Sequence, residues 1–181
     1  LWTSQLVWSQ EEPVSPQTEV KEIRQEETRD FKLRSLGRLK ITNRKGSIRV
    51  KGWGQDKVRV KINKVVRLEI QKSEEAEAGL SSEVARMNEL QDAMDVDFVD
   101  HGQEIEMIAN YGKGMDVLRR LKARKVPQVR MDLTVFAPAR MDLSSWTVDK
   151  NVEITRWSGK IDVRAISGQV SLQRISSPGL T

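Results

Sequence analysis

Three nine-residue units follow one another near the C-terminus of the sequence, and they constrain the fold more than any other feature. The units are Asp149–Trp157, Ser158–Ile166 and Ser167–Ile175, and each has apolar residues at its fourth, sixth and ninth positions. The last two units open with Ser-Gly, and a further copy of the pattern, Lys45–Trp53, lies far upstream. A short fixed period that combines a turn with an alternating strand is typical of β-solenoids and other repeat sheets.

The alternation within each unit predicts which side chains are buried. The residues between the apolar ones are mostly charged or polar, which indicates a strand with one buried and one solvated face. A slip of one residue would bury Glu153 and Asp162, so burial fixes the register of the strands. We expect the fourth and sixth positions to be buried, and these are Val152, Ile154, Ile161, Val163, Val170 and Leu172.

The composition is that of a globular domain with, at most, one small appendage. The chain has 181 residues, of which 38% are hydrophobic and 31% are charged. No apolar run approaches the roughly 18 residues that a membrane helix needs. The sequence contains no cysteine, which excludes both a disulfide framework and a thiol nucleophile but excludes no cellular compartment.

The first 30 residues are acidic, although the whole chain has a net charge of +5. Residues 10–28 are rich in Glu, Gln, Pro and Thr without an apolar period, so we predict a flexible acidic lead over residues 1–30. Leu1–Ser9 ends with the small residues Val7 and Ser9 at the spacing of a signal-peptidase site. This stretch is either the tail of a secretory signal or a disordered N-terminus.

The rest of the chain, residues 31–181, reads as a mainly β domain with one helical insertion. Apolar residues alternate from Phe31 to Ile70 and again before and within the repeats, which predicts strands. A helix is predicted over residues 73–92, because spacings of four and three residues place its apolar residues on one face: Leu80, Val84, Met87 and Leu90. Strands and helices do not alternate, which excludes the parallel α/β class. Glycines and Pro127 interrupt a basic stretch over residues 112–127, which predicts a surface loop, either without a helix or with one short helix around Val117–Leu121.

The stretch Leu36–Trp53, followed by Asp56–Val60, resembles the opening of the putative-adhesin family of bacterial domains of unknown function. In that family a strand, an Asn-containing turn, Gly-x-Ile-x-Val-x-Gly-Trp and a Val-x-Val strand come in this order. An acid-rich helical insertion and repeats of the Ser-Gly-x-Val-x-Leu type follow. The resemblance covers about residues 31–181 and implies an exported β-solenoid-like domain that is periplasmic, envelope-exposed or secreted. It supplies no active site.

The residues that usually carry catalysis or bind metals are sparse. The single histidine, His101, lies in a predicted turn and has no second His or Cys with which to bind a metal or build a triad. Gly52-Trp-Gly54 lacks the third glycine and the helix of a dinucleotide loop. Asp162 is the only acid near the calcium-binding position of the two Ser-Gly units. We therefore expect a protein that is not an enzyme and needs no metal or cofactor.

Two groups of residues are candidates for binding. Trp53 and Trp157 occupy the ninth positions of their units, where they either pack a corner or stack on a glycan. The basic stretch 113–130 is either a solvated loop or a site for an anionic partner. Its candidate binding residues are Arg119, Arg120, Lys122, Arg124 and Lys125. Nucleic-acid platforms interleave aromatic and basic residues more densely than this stretch does.

Three functions remain open at the level of sequence. The first is a non-catalytic adhesion or scaffold module of the bacterial envelope that binds a protein partner or self-assembles through strand edges. The second is a module that binds a carbohydrate or an anionic polymer through surface tryptophans and the basic loop. The third is a cytoplasmic nucleic-acid binder, which the net positive charge alone suggests.

Overall fold

The computed structural model describes residues 18–33, 36–71, 74–112 and 127–176. The helix of this part of the chain, α1, spans Glu74–Ala93. The strands are β1 (Thr18–Lys32), β2 (Arg38–Asn43), β3 (Ile48–Trp53), β4 (Lys57–Gln71), β5 (Asp95–Asp100), β6 (Glu104–Asn110), β7 (Gln128–Pro138), β8 (Asp142–Thr147), β9 (Val152–Trp157), β10 (Ile161–Ala165) and β11 (Val170–Ile175). The prediction of a mainly β fold with one helical insertion is confirmed.

The strands form two mixed sheets, and their apolar side chains form one core cluster. Sheet I has the order β1-β4-β7-β3-β9-β11, and sheet II has the order β10-β8-β2-β6-β5. In sheet I the strands from β7 to β11 are parallel, and β4 and β1 are added antiparallel. In sheet II the strands from β10 to β6 are parallel and β5 is antiparallel. Each sheet therefore has one edge strand on either side: β1 and β11 in sheet I, and β10 and β5 in sheet II.

The parallel strands come in four pairs, and in each pair the chain passes from sheet II to sheet I. The pairs are β2–β3, β6–β7, β8–β9 and β10–β11, and we call each pair with its connecting segment a coil. The coils lie in the same order in both sheets: β10–β11, β8–β9, β2–β3, β6–β7. Each coil is thus stacked as a unit on its neighbours, and the coil that comes first in the chain lies in the interior of the stack.

The nine-residue units are half-coils. Val152 pairs with Val170 on one side and with Ile48 on the other, and all three are fourth positions of their units. The intervening unit, Ser158–Ile166, lies in the opposite sheet as β10. The stacking period of the two downstream coils is therefore two units, and the upstream copy found in the sequence lies in register with the others.

The glycines of the Ser-Gly openings permit this stacking. A Cβ on Gly159 would lie 1.9 Å from the carbonyl oxygen of Met141, and one on Gly168 would lie 2.3 Å from that of Lys150. Both contacts join the turn of one coil to the turn of the coil beneath it. Only a residue without a side chain allows the backbones to approach so closely.

The burial of the repeats decreases along the stack. Val152 and Ile154 are fully buried, as the alternation predicts, and so is Ile161. Val163 and Leu172 are only half-buried, whereas Val170 is 44% exposed, so the prediction of burial is wrong for Val170. The reason is that β10 and β11 are edge strands, so no further described coil covers their inward-facing residues.

At the opposite end of the stack, α1 packs against β4 and β1. Met87 and Leu90 of α1 are fully buried in the common core, and Val84 is half-buried. The side chain of Leu80 falls outside the described part of the chain. The predicted apolar face of the helix therefore packs on the sheet at Met87 and Leu90.

The strand β1 corrects the prediction of a flexible acidic lead. Residues 1–17 lie outside the described residues, but Thr18–Lys32 is a strand that pairs with β4 along its whole length. Only a few of its side chains, such as Ile23 and Phe31, pack against the core. Main-chain hydrogen bonds to a neighbouring strand do not require an apolar pattern, and for this reason composition alone predicted flexibility.

A cluster around Arg29 ties the two sheets together at this end. The Arg29 guanidinium donates hydrogen bonds to the carboxylate of Asp95 at 2.8 Å and to the carbonyl oxygen of Val96 at 3.1 Å. It lies 5.5 Å from the ring centre of Phe98, which stacks on Phe31 with ring centres 4.2 Å apart. Because these contacts join β1 of sheet I to β5 of sheet II, we call this end, with α1, the covered end.

Candidate interaction surfaces

The opposite end of the stack, formed by β10 and β11, presents strand edges and apolar side chains to solvent. We call it the open end. Among the described strands, β10 pairs only with β8, and β11 only with β9. Ile166, in the turn between them, is 68% exposed, and Val170 is 44% exposed. Unpaired strand edges beside exposed apolar residues are typical of sites at which another chain docks.

The hydrogen bonds of β10 show which of its backbone groups are directed outward. The Leu143 amide donates to the carbonyl of Lys160 at 2.8 Å, and the Ile166 amide donates to the carbonyl of Thr147 at 3.2 Å. In a parallel pair, alternate residues direct both backbone groups to the neighbouring strand, so the even-numbered residues of β10 face β8. The residues whose amide and carbonyl groups point away from β8 are Ile161, Val163 and Ala165.

The outer face of β10 carries one acid and one base. The side chains of Asp162 and Arg164 are 47% and 75% exposed, and the Arg164 Nε lies 3.6 Å from an Asp162 carboxylate oxygen. They flank Val163, whose side chain faces inward and is half-buried. The open edge of sheet II is therefore a short strand with opposite charges on either side of an apolar centre.

Trp53 lies in a cluster of aromatic and charged side chains. Its Nε1 donates a hydrogen bond to the carbonyl of Lys57 at 2.9 Å, and its ring centre is 5.5 Å from that of Phe136. The cations of Lys57 and Arg59 lie 5.8 and 5.9 Å from the Trp53 ring centre. Hydrogen bonds from Arg59 and then Lys57 hold the pKa of the Asp30 carboxyl well below its usual range. The indole is half-buried, and its role as a stacking residue stays a prediction.

Trp157, the second candidate for stacking, is only 1% exposed and belongs to the core. A buried ring has no face open to a sugar, so the structure does not place Trp157 on a binding surface. It packs a corner of the coil, which is the alternative that the sequence also allowed. The ninth positions do not share one environment, because Ile166 in the next unit is exposed.

The five basic candidates, Arg119, Arg120, Lys122, Arg124 and Lys125, lie outside the described residues. The described chain leaves sheet II at Gly112 and resumes at Pro127, before β7. A groove of about 250 Å³ lies at the start of β7, lined by Lys45, Gly46, Val65, Arg67, Gln128, Val129, Arg130, Asp149 and Lys150. Sequence reasoning did not find this groove.

The charges of the groove are only partly neutralised. Arg67 lies 3.3 Å from Glu69, and Arg130 lies 3.2 Å from Asp132. No acidic side chain of the described residues is within ion-pair distance of Lys45 or Lys150. The sequence signal was the repeat itself, because stacking the copies brings the turn after β2 beside the turn after β8.

A buried tyrosine, Tyr111, anchors the turn that carries Lys45, because its hydroxyl contacts the carbonyl oxygen of that residue. The hydroxyl of Tyr111 donates a hydrogen bond to the side-chain oxygen of Asn43 at 2.8 Å and accepts one from the Met131 amide at 3.0 Å. The side-chain amide of Asn43 in turn donates to the carbonyl of Met131 at 2.7 Å. Burial raises the pKa of the Tyr111 hydroxyl above its ordinary value, so the group is neutral and acts as a structural link.

His101 lies in the turn between β5 and β6, as the sequence predicts. Its side chain is 55% exposed, and its Nε2 is 4.0 Å from a carboxylate oxygen of Glu106. Within the described ranges, no three His, Asp or Glu side chains converge as they would around a metal ion. The described part of the chain likewise contains no helix with the length and apolar character of a membrane span.

Comparisons with known proteins find similarity at the level of structure only. No protein-family model and no curated protein matches the sequence. A "putative cell adhesion protein" from Clostridium sporogenes is 12% identical, with a TM-score of 0.48, over 84% of this chain and 62% of that one. A "putative adhesin" from Bacteroides fragilis is 12% identical, with a TM-score of 0.26, over 86% of this chain and 95% of that one. The chain therefore spans less than two thirds of the length of the Clostridium protein.

Proposed function

We propose that this protein is a non-catalytic adhesion or scaffold module of the bacterial envelope and that it acts through the open end. The observation that carries this proposal is the pair of strand edges at β10 and β11, which no described strand covers, beside the exposed Ile166 and Val170. A strand that adds to such an edge gains main-chain hydrogen bonds. Covering the apolar side chains contributes about 25 cal/mol for each Å² removed from water.

In this proposal the four coils are a short β-solenoid. Support comes from the identical order of the coils in both sheets and from the stacking of units two repeats apart. The close contacts at Gly159 and Gly168 are a second support. Terminal repeats of solenoids need a polar outer face for solubility. Since Val170 is exposed on the last described coil, a solenoid of this kind would be covered at the open end when it functions.

The proposed location is periplasmic, cell-envelope or secreted, in line with the family that the sequence resembles. Expression of the native gene followed by cell fractionation tests this. We expect the protein in the periplasmic, envelope or culture fraction. Recovery from the cytoplasm together with nucleic acid would instead favour the third function considered above.

Blocking the open end tests the proposed function directly. The substitutions Ile166→Lys and Val170→Lys place charges where a docked strand would lie. A matched control, Val20→Lys with Val99→Lys, alters two exposed apolar side chains on β1 and β5, which are 46% and 39% exposed. We expect the open-end variant, but not the control, to lose binding to envelope proteins and to further copies in pull-down and sedimentation. Equal binding by both variants would contradict docking at the open end.

A second candidate function is the binding of an anionic polymer, and the basic groove favours it. Lys45 and Lys150 line the groove with no described acidic partner, and the basic stretch 113–126 joins the described chain at Gly112 and Pro127, close to it in sequence. Such a surface would attract sulfated or phosphorylated chains. The interaction would be screened over about 10 Å at 0.1 M salt.

Titration with polyphosphate and with a sulfated glycan tests this second function. Affinity should fall as salt rises, and the reversals Lys45→Glu and Lys150→Glu should weaken it. Reversal of Arg119, Arg120 and Lys122 should slow association, because charges near a site steer an approaching ligand. Binding that is indifferent to salt and to every reversal would show that these bases are only a solvated surface.

A further inference from the structure

We propose that the open end binds the open end of a second copy of this chain, through antiparallel pairing of β10 with β10 centred on Val163. This inference rests on the proposed function and names the occupant of the open end. It follows from the direction of the free backbone groups and from the order of charges on β10.

The backbone of β10 is self-complementary. Its free amide and carbonyl groups belong to Ile161, Val163 and Ala165, all on the edge that faces away from β8. A two-fold axis through this edge at Val163 places Val163 opposite itself and Ile161 opposite Ala165 of the second copy. Each opposed pair then exchanges two N–H to O=C hydrogen bonds, as in the hydrogen-bonded pairs of an antiparallel ladder.

The charges select one register. With the axis at Val163, Asp162 of each copy lies opposite Arg164 of the other in a non-hydrogen-bonded pair, where Cα atoms are only about 4.5 Å apart. An axis at Asp162 would set two aspartates opposite each other, and an axis at Arg164 would set two arginines opposite each other. Like charges directly opposed are destabilising, whereas opposite charges stabilise. The sequence of β10 therefore favours the register centred on Val163.

The apolar side chains of the terminal coil favour the same arrangement. An axis perpendicular to the sheets reverses β11 as well as β10, so β11 meets β11 of the second copy. This would cover Val170 and complete the burial of Val163 and Leu172, two inward-facing residues that are only half-buried in one chain. Such an isologous contact closes on itself. Head-to-tail stacking would instead place this coil against the covered end, where α1 packs on β4 and β1 and where Arg29 joins β1 to β5.

Charge reversal and charge exchange test the register. Asp162→Arg alone and Arg164→Asp alone each create two like-charge pairs across the axis, so the dimer dissociation constant should rise about tenfold. The double exchange, Asp162→Arg with Arg164→Asp, restores opposite charges and should restore the affinity. Sedimentation equilibrium measures all four proteins. Both side chains are exposed, so the folded monomer should be unaffected.

Disulfide trapping gives a second test, because the chain contains no cysteine. A mixture of an Asp162→Cys protein and an Arg164→Cys protein should form a mixed disulfide under oxidation. Neither protein should crosslink with itself, because diagonal partners are about 7–8 Å apart and a disulfide spans less than about 7 Å. Self-crosslinking of the single variants, with no preference for the mixture, would overturn the register.

The outcomes separate this inference from the function on which it rests. A wild-type protein that stays monomeric up to about 1 mM, while its open end still captures an envelope protein, would overturn the dimer and leave the proposed function standing. A dimer that ignores both charge reversals and gives no mixed disulfide would overturn pairing through β10. If the blocked variant, Ile166→Lys with Val170→Lys, keeps both self-association and capture, the dimer and the proposed function are both overturned.

Discussion

The two ends of the stack differ in how far their apolar side chains are shielded from water. At the covered end, α1 inserts Met87 and Leu90 into the core, and Arg29 ties β1 to β5. At the open end nothing described covers the last coil, so Val170 is exposed although Val152, at the same position of its unit, is fully buried. Burial in these repeats is thus determined by the neighbouring coil rather than by the unit itself.

The edge strands differ in the charges that they carry. β1 carries both acids and bases along its 15 residues, and β5 contains three aspartates. Charged edges oppose unwanted pairing, and like charges in β5 oppose pairing with a second β5. β10 has one aspartate and one arginine in an order that suits its own antiparallel copy. The covered end is therefore protected from association, whereas the open end is compatible with it.

The largest effect expected from this difference comes from one substitution made at both ends. Leu90→Ala removes a fully buried side chain and should lower the free energy of unfolding by about 2–5 kcal/mol. Leu172→Ala removes a half-buried side chain at the edge and should cost about 1 kcal/mol. Urea denaturation of the monomer measures both. Equal losses would mean that the two ends contribute equally to stability.

A smaller effect is expected at the contact that stacks the last coil. Gly159→Ala drives a Cβ to 1.9 Å from the Met141 carbonyl oxygen, so the turns must separate, at a cost of about 1–3 kcal/mol. Gly54→Ala is the control, since its Cβ would meet nothing within 4 Å. Thermal denaturation with hydrogen exchange of β10 should show loosening only in Gly159→Ala. Unchanged protection would indicate that the coil is held by other contacts.

A pH dependence is expected on the β1 side of the molecule. Because hydrogen bonds from Arg59 and Lys57 lower the folded-state pKa of Asp30, its stabilising effect is present above the unfolded value of about 3.9. The effect is lost as pH falls toward the folded-state pKa. The stability difference between wild type and Asp30→Asn should therefore shrink below about pH 4. In a background with both Arg59→Gln and Lys57→Gln, the same substitution should show little pH dependence, and a persistent dependence would implicate other groups.

Removal of metal ions is expected to have no effect on stability. Neither end offers a recognised metal site in the sequence, so treatment with EDTA should leave the melting temperature unchanged. A structural metal contributes directly to folding energy. A loss of more than a few degrees, reversed by adding back a divalent ion, would contradict the expectation that the fold needs no metal.

The period of the repeats predicted much of the local structure. The strands and the helix follow from alternation and helical spacing, and the shared pattern of the units fixes the register once two of them lie side by side. The order of the coils does not follow, because every unit has the same pattern and can stack on any other. The exposure of Val170 depends on that order and was missed for this reason. β1 was missed because its pairing is made by the backbone.

The candidate binding residues were predicted less well. Trp157 was a candidate for stacking on a glycan, but its ring lies in the core because the ninth position of its unit faces inward. The groove between Lys45 and Lys150 joins residues of two distant copies of the repeat, and it can be predicted only once those copies are known to lie side by side. The charge order of β10 was visible in the sequence, but its meaning depends on knowing that this strand lies at an edge.

The interior position of the first coil has a consequence for synthesis on the ribosome. β3 emerges early, yet both of its partners come much later: Ile48 pairs with Leu133 on one side and with Val152 on the other. Until those residues have been made, two unpaired edges of an apolar strand remain open to the wrong neighbours. Long-range parallel pairing is also slow, because the intervening chain must be ordered first. The nascent chain therefore passes through a long interval in which β3 has neither of its partners, and this interval ends only when the downstream repeats have been synthesised.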